Sequence, residues 1–264
     1  LVLSLIIFAS IHPAFAQTAI SYGQTVSGSI SAAGEKDEFT FTGTIGDVIT
    51  LRFAKTTGTL SPYVELFNPV GTRIAYSSSG VIDATLAVAG TFKITLRDYN
   101  NTNTGDYSLS IQRVNNPAGA ITLSFGQTAS GTIGTFTDID AYKFTATAND
   151  TVTVRFATAS TTSGSFDLYV QLFDSAGTSI TTSTSGALTQ KLTTSGTFYL
   201  LVTDYYRNGA GTYSLSLQRV NNPVGATTLN FGQTASATID SFAKIVTYSF
   251  SGSANDKIYV AAST

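Results

Sequence analysis

Short segments in which apolar and polar residues alternate recur along the chain, and they predict β-strands. The clearest one, residues 48–53, places Ile49, Leu51 and Phe53 on one face. A period of two residues is that of a half-buried strand, and a shift of one residue would expose the whole apolar set. No segment shows sustained helical periodicity. The pattern therefore predicts an all-β protein.

The pattern of one segment returns about 100 residues later. Residues 107–133 read YSLSIQRVNNPAGAITLSFGQTASGTI, and residues 213–239 read YSLSLQRVNNPVGATTLNFGQTASATI. This repeat predicts a tandem array: unit 1 at residues 17–114, unit 2 at residues 115–220, and an incomplete third unit at residues 221–264. About eight short strands in each unit favour an antiparallel β-sandwich or barrel.

The later strands of each unit are predicted at matching places. In unit 1 they are residues 63–67, 73–76, 85–88, 91–97 and 107–112, and in unit 2 they are residues 168–173, 179–182, 188–192, 197–203 and 213–218. In the third unit, Ile258 and Val260 are expected to point inward. The joints at residues 115–120 and 221–226 contain Pro and Gly, are nearly identical, and are expected to be short and semi-rigid.

Residues 1–16 form an uncharged apolar stretch that ends in Ala14-Phe15-Ala16. This is typical of a secretory signal peptide, here without its Met and basic start. The apolar run is short for a membrane span. We therefore expect a mature chain from Gln17 that has no membrane span and is secreted, extracellular or on the cell surface.

The mature chain has no Cys, and it has no His because His12 is the only one. Ser-His-Asp sites, Cys-His sites, His-based zinc sites and disulfides are therefore excluded. The net charge is −2 without a basic patch, which argues against a nucleic-acid partner. We expect a protein that is not an enzyme and requires no cofactor.

Two groups of carboxylates remain as candidates for chemistry. Glu35, Asp37 and Glu38 precede a strand, where a solvated turn is the simpler interpretation. Asp138 and Asp140 lie on one side of an extended segment. Calcium takes six to eight oxygen ligands, and carbonyls, Asn and water could complete the set around these two carboxylates. Calcium is thus the one ion for which the sequence offers a candidate site.

Three tyrosines are candidates for ligand binding. Tyr99, Tyr205 and Tyr206 directly follow the end of a predicted strand and open a loop. An exposed tyrosine in a loop can stack on a sugar ring or hold a peptide. The alternative is that Tyr99 and Tyr205 pack over the end of the sandwich. Tyr107 and Tyr213 are expected to be core residues.

The order of motifs along each unit resembles that of the bacterial pre-peptidase C-terminal domain. The matching segments are residues 23–30, 37–41, 46–48, 60–75, 90–98 and 105–109 of unit 1, and residues 140–144, 166–180, 196–204 and 211–215 of unit 2. The resemblance implies a jelly-roll-like β-sandwich without catalytic activity. Such domains accompany secreted peptidases and other exported enzymes, and similar domains of bacterial collagenases bind substrate fibres and calcium.

Three functions follow from these observations. The first is a non-catalytic binding or spacer array of an exported bacterial protein, with an extracellular protein fibre or polysaccharide as partner. The second is the accessory array of a secreted peptidase or other hydrolase whose catalytic domain lies outside this sequence. The third is a purely structural stalk on the cell surface. A catalytic motif in the rest of the reading frame would favour the second.

The strand register generates a test. The inward residues are expected to be Phe41, Leu51, Phe53, Leu66, Leu96 and Leu109 in unit 1 and Phe144, Val154, Phe156, Leu172, Val202 and Leu215 in unit 2. Replacing a buried Phe by Ala removes apolar contacts and leaves a cavity. Phe156→Ala should therefore lower the free energy of unfolding by about 3–5 kcal/mol in a urea titration. A loss below about 1 kcal/mol would show that the assigned face is wrong.

Overall fold

The computed structural model describes residues 17–263, and the signal peptide predicted for residues 1–16 lies outside them. All regular elements of the described residues are β-strands. No helix in this part of the chain could cross a membrane. The predicted all-β class, built from antiparallel β-sandwiches, is therefore confirmed.

Unit 1 contains nine strands: β1 (Thr18–Ala19), β2 (Gln24–Ile30), β3 (Lys36–Gly43), β4 (Val48–Lys55), β5 (Pro62–Phe67), β6 (Arg73–Ser77), β7 (Val81–Thr85), β8 (Gly90–Asp98) and β9 (Gly105–Arg113). They form a five-stranded sheet in the order β1-β3-β8-β5-β6 and a four-stranded sheet in the order β2-β9-β4-β7. Neighbouring strands are antiparallel, except that β1 is parallel to β3.

Unit 2 repeats this arrangement: β10 (Ile121–Thr122), β11 (Gln127–Ile133), β12 (Asp140–Ala146), β13 (Thr151–Gly164), β14 (Leu168–Phe173), β15 (Ser179–Ser183), β16 (Ala187–Lys191), β17 (Gly196–Asp204) and β18 (Gly209–Arg219). The five-stranded sheet has the order β10-β12-β17-β14-β15, and the four-stranded sheet has the order β11-β18-β13-β16. No strand of one unit pairs with a strand of the other among residues 17–263.

Each unit encloses its own apolar core between its two sheets. All twelve residues predicted to point inward are buried, as are Tyr107 and Tyr213, so these predictions are confirmed. The two cores are separate clusters of side chains. Alternation along the strands thus gives each sheet one face for the core, and the other face is free for a different contact.

One predicted strand of unit 1 lies elsewhere in the structure. The strand predicted at residues 85–88 lies instead at Val81–Thr85, because Ile82 and not Leu86 is the counterpart of Leu188. Leu86 closes a turn, where its N–H donates to the Asp47 carbonyl.

In the third unit, β19 (Thr227–Thr228) and β20 (Tyr248–Ser249) form a two-stranded sheet. Ile258 and Val260 are 42% and 76% exposed and lie outside any strand, so the inward orientation predicted for them is wrong. Up to residue 263, the third unit has no counterparts of the strands that flank β4 and β13 in complete units.

The outer face of the four-stranded sheet of unit 1 packs against the outer face of the five-stranded sheet of unit 2. Val114 of unit 1 shares an apolar cluster with Ile139, Ala141, Phe173, Tyr199 and Leu201 of unit 2. Polar contacts flank this cluster: the Ser110 hydroxyl donates to Thr137 Oγ1 at 2.9 Å, and the Thr25 hydroxyl donates to Asp138 at 2.7 Å. The four sheets therefore stack as successive layers.

An arginine crosses this boundary between the units. Arg52 points outward from β4, is 5% exposed, and donates from Nη2 to the main-chain carbonyl of Asp204 in unit 2. Burial, and then the charge of Arg207, lower the pKa of Arg52 to about 10. The guanidinium is therefore still a cation at neutral pH. Arg207 of unit 2 donates in return to the Ser79 carbonyl of unit 1 at 2.9 Å.

The joint between the units is held by side chains of the preceding strand. The Gln112 amide makes two hydrogen bonds with Ala118, donating to its carbonyl at 3.1 Å and accepting from its N–H at 3.0 Å. Gln218 makes the same pair of bonds with Val224. Arg113 adds a donation to the Asn116 carbonyl. Arg219 donates to the Asn222 carbonyl in the same way, so the two joints have the same local hydrogen bonds.

The docking face of unit 2 differs from the same face of unit 1. Ala141, Tyr199 and Leu201 stand where unit 1 has Glu38, Lys93 and Thr95. The polar residues do not prevent the sandwich of unit 1 from forming, but they could not form an apolar interface. Placing the residues of unit 1 at the equivalent positions of unit 2 should therefore disturb the interface and not the fold.

Exchanging these residues should loosen the stack without unfolding the units. Burying one large apolar side chain is worth about 1.5–3 kcal/mol. We therefore expect the triple variant Ala141→Glu, Tyr199→Lys, Leu201→Thr to broaden the interatomic distance distribution in small-angle X-ray scattering. The control, Lys93→Tyr on the free face of unit 1, should leave the distribution unchanged. Identical curves for the triple variant and the wild type would contradict the observed packing.

Candidate binding surface

The outer face of the five-stranded sheet of unit 1 is the candidate binding surface. In unit 2 the equivalent face is covered by unit 1, whereas in unit 1 no described residue of another unit covers it. We call this surface the tyrosine–arginine face. Its members are Tyr63, Glu65, Phe67, Arg73, Tyr76, Lys93, Arg97 and Tyr99, from β5, β6, β8 and the loop after β8.

Three tyrosines form a continuous row on this face. The ring of Tyr63 is buried, and its centroid lies 5.9 Å from that of Tyr76 and 5.6 Å from that of Tyr99. Tyr76 is 62% exposed and Tyr99 is 53% exposed. Tyr99 thus combines the two interpretations considered from the sequence, because it packs on the sandwich and still offers an exposed ring.

Three of the four rings on this face have a cation beside them. The Arg97 guanidinium lies 4.0 Å from the centroid of Tyr63, and the Arg73 guanidinium lies 4.9 Å from that of Tyr76. Lys93 Nζ lies 5.0 Å from the centroid of Phe67. Cations over aromatic rings are attracted by the ring quadrupole, and this attraction orients both partners.

Glu65 ties the two arginines together. Its carboxylate accepts from Arg73 Nη1 at 2.6 Å and lies 3.7 Å from Arg97 Nε. Arg97 also donates to the carbonyls of Asp98 and Tyr99, at 3.0 and 2.9 Å. Strand side chains and loop carbonyls therefore fix Arg97, while Arg73 stays half exposed.

The loop that carries Tyr99 is organised by a buried carboxylate. Asp98 accepts main-chain N–H bonds from Ser61, Asn100, Thr102 and Asn103 at 2.9–3.2 Å. Burial alone would raise the pKa of Asp98, but these N–H donations lower it well below its ordinary value of 3.8. These bonds fix the conformation of the loop around the ionised aspartate. They therefore also fix the position of the Tyr99 main chain.

The other two candidate tyrosines lie beside the boundary between the units. The Tyr205 ring packs edge-on against Tyr169 at 5.2 Å and against Tyr206 at 4.8 Å. Both are partly exposed, Tyr206 at 62%. Their loop is held by Asp204, whose main-chain carbonyl accepts from Arg52 of unit 1. Binding by Tyr205 and Tyr206 stays a prediction, and this contact gives their loop a role in the interface.

The two aspartates of the candidate calcium site are both engaged by protein donors. Asp138 accepts from the Gly134 N–H at 3.0 Å and from the Thr25 hydroxyl, one bond on each carboxylate oxygen. Asp140 accepts from the Tyr213 hydroxyl at 2.7 Å. Calcium needs six to eight oxygen ligands, so this donor set fits the ion poorly. The calcium site stays a prediction.

The acidic cluster of unit 1 is likewise divided among separate contacts. Glu35 accepts the N–H groups of its own turn, Asp37 accepts from the Tyr107 hydroxyl, and Glu38 pairs with Lys93 at 2.7 Å. Within residues 17–263, no group of three or more His, Cys, Asp or Glu side chains is placed to hold a metal ion. This agrees with the interpretation of the cluster as turn and surface residues.

Sequence reasoning found Tyr99 but missed Tyr63, Tyr76, Arg73 and Arg97. These residues are far apart along the chain and meet only because β5 pairs with both β6 and β8. A signal was nevertheless present. The outward positions of these strands are charged or aromatic in unit 1 but mostly uncharged in unit 2, so a comparison of the two repeats position by position would have marked the face.

No family model matches the sequence, and no curated protein matches it. Among solved structures, the chain is similar to the pre-peptidase C-terminal domain of a collagenase from Bacillus anthracis, with 21% identity and a TM-score of 0.31 over 36% of this chain and 94% of that domain. It is also similar to PliG of Aeromonas hydrophila, a periplasmic inhibitor of g-type lysozyme, with 18% identity and a TM-score of 0.30 over 38% of this chain and 96% of PliG. The CUB1-EGF-CUB2 region of human MASP-1/3 has 10% identity and a TM-score of 0.23, over 72% and 99% of the two chains. At these scores the likenesses carry no functional conclusion.

The protonation of Asp140 should make the stability of the fold depend on pH. Burial raises its pKa above 3.8, the Tyr213 hydrogen bond opposes this, and the charge of Asp138 adds to it. The stability that protonated Asp140 contributes is therefore fully present below pH 3.8 and lost as pH rises through the raised pKa. Asp140→Asn keeps an oxygen acceptor but cannot ionise. We expect the Tm of the variant, relative to wild type, to increase between pH 3.8 and 7 in calorimetry.

The equivalent change in unit 1, Asp37→Asn, should show the same sign. Burial raises the pKa of Asp37 as well, and the charge of Glu35 adds to this while Tyr107 opposes it. A Tm difference that stays constant over this pH range in both variants would show that neither carboxylate is linked to folding in this way.

Proposed function

We propose that the chain is an array of non-catalytic β-sandwich modules of an exported protein, in which stacked units act as a stiff spacer and unit 1 binds an extracellular polymer. We further propose that its units are repeats of the pre-peptidase C-terminal type, on the sequence motifs described above. Export rests on the signal peptide predicted for residues 1–16.

The observation that carries the proposal is the packing of one sandwich on the next. Val114 and the five apolar residues of unit 2 form a shared cluster, and Arg52 and Arg207 reach across the boundary in opposite directions. The Gln112 amide fixes the joint. Together these contacts oppose bending between the units, which is the property that a spacer needs.

The absence of catalysis is supported by the chemistry of the side chains. The only His of the sequence is His12, and there is no Cys. Asp47 and Asp150 serve turns, where each accepts a main-chain N–H three residues earlier at 2.9 Å. Burial raises the pKa of Asp47, but these turn hydrogen bonds outweigh it and lower the pKa below 3.8. A carboxylate held ionised in this way is a weak base and no proton donor at neutral pH.

Co-sedimentation and turnover assays test the proposal together. The chain from residue 17 onward would be incubated with a fibrillar protein, a neutral polysaccharide and an acidic polysaccharide. We expect it to sediment with at least one polymer and to release neither new amino groups nor reducing ends. Turnover that disappears in Asp138→Asn, Asp140→Asn would overturn the absence of catalysis, since two carboxylates suffice for glycoside hydrolysis. Binding to no polymer would favour the purely structural stalk.

A further inference from the structure

The tyrosine–arginine face has a positive net charge. It holds three cations, Arg73, Lys93 and Arg97, and one acid, Glu65. The adjoining strand β3 adds one cation, Lys36, and one acid, Glu38, at its outward positions and so leaves the net charge unchanged. The face is thus positive, whereas the whole chain has a net charge of −2. Local charge of the opposite sign to the whole protein favours an anionic partner at this surface.

The rings on the same face favour a partner that is flat and cyclic. Tyr76 and Tyr99 expose ring surface on either side of Tyr63. A tyrosine presents a large, rigid apolar face at a low cost in conformational entropy. Sugar rings have apolar C–H faces that stack on such surfaces. A row of rings therefore suits successive residues of a polymer better than a single small ligand.

Arg73 has donors available for an anionic group. A guanidinium carries five N–H donors in a planar fork that matches a carboxylate. The contact with Glu65 uses Nη1, and the Arg73 side chain is 48% exposed at the edge strand β6. Arg97 and Glu65 hold the neighbouring rings and charges in place before any ligand arrives, which reduces the ordering required on binding.

We propose that the tyrosine–arginine face of unit 1 binds an acidic polysaccharide, with sugar rings stacked on Tyr76 and Tyr99 and a uronate carboxylate paired with Arg73. This rests on the proposed binding function and names the class of polymer. Unit 2 cannot bind in the same way, because the centre of its equivalent face is buried against unit 1 and the face has Thr182 and Ser179 in place of Tyr76 and Arg73.

Polygalacturonate is the probe for the test, and titration calorimetry of the chain from residue 17 onward is the measurement. We expect binding that weakens as salt is raised, because the exposed charges are screened. Tyr76→Ala with Tyr99→Ala should raise Kd about tenfold or more, through the loss of two stacking faces. Arg73→Gln should raise Kd and reduce the salt dependence.

Control variants separate this site from general effects. Phe250→Ala with Tyr259→Ala removes two exposed rings of the third unit, and Lys191→Gln removes an exposed cation of unit 2; neither should change Kd. Tyr76→Phe with Tyr99→Phe keeps the rings and should retain binding. This last variant also shows that the positions tolerate change if the alanine variant is poorly folded.

Several outcomes would overturn the proposal. They are equal affinity for a neutral glucan, equal affinity for polyglutamate, loss of binding in the control variants, and no binding of polygalacturonate at all. Sedimentation with a fibrillar protein or neutral polysaccharide, together with absent polygalacturonate binding, would overturn this inference and leave the proposed function intact. Absence of binding to every polymer would remove the binding role, while the scattering experiment on the stacked units tests the spacer role independently.

Discussion

The rest of the structure depends on one contact between the units. The outer face of the four-stranded sheet of unit 1 packs against the outer face of the five-stranded sheet of unit 2. Each unit buries its core residues without the other unit, because its two sheets cover the apolar faces of each other. The contact between units is additional, and it uses residues that alternation would assign to solvent. Its apolar centre is supplied almost wholly by unit 2, whereas unit 1 contributes mostly polar groups such as Ser110 and Thr25. The boundary therefore joins chemically different surfaces and gives the array a direction.

This asymmetry explains the cost and the role of Arg52. A buried guanidinium loses its hydration, which is why the pKa of Arg52 falls to about 10. The Asp204 carbonyl compensates only in part, since Arg52 Nε has no hydrogen-bond partner among the described residues. A buried charge is weak evidence for stability, whereas removing its partner is costly. At this boundary, the hydrogen bond to the Asp204 carbonyl partly satisfies the buried guanidinium only while the loop of Asp204 lies against it.

Much of the fold was predictable from the sequence, since it depends on local alternation. The twelve inward residues follow from the period of the strands. The outward faces were not predictable in the same way. Ser108, Ser110 and Gln112 of β9 are polar, yet they are buried because another unit covers them. The strand at Val81–Thr85 was misplaced because only Ile82 is deeply buried in it, so its periodic signal is weak. Of the candidate site, Tyr99 was found from its position after a strand, while Tyr63 and Arg97 meet only through strand pairing.

The hydrogen bonds of Gln112 and Gln218 have a consequence for how such a chain changes in length. Each glutamine lies in the last strand of a unit and holds the joint that follows it. Each unit therefore contains, within about a hundred consecutive residues, the side chain that holds the joint after it. Recombination between the near-identical stretches around the two joints would add or remove whole units, and each added unit would bring the same pair of glutamine hydrogen bonds to its joint. The number of units would then vary among descendants of the gene while the hydrogen bonds within each joint stayed the same.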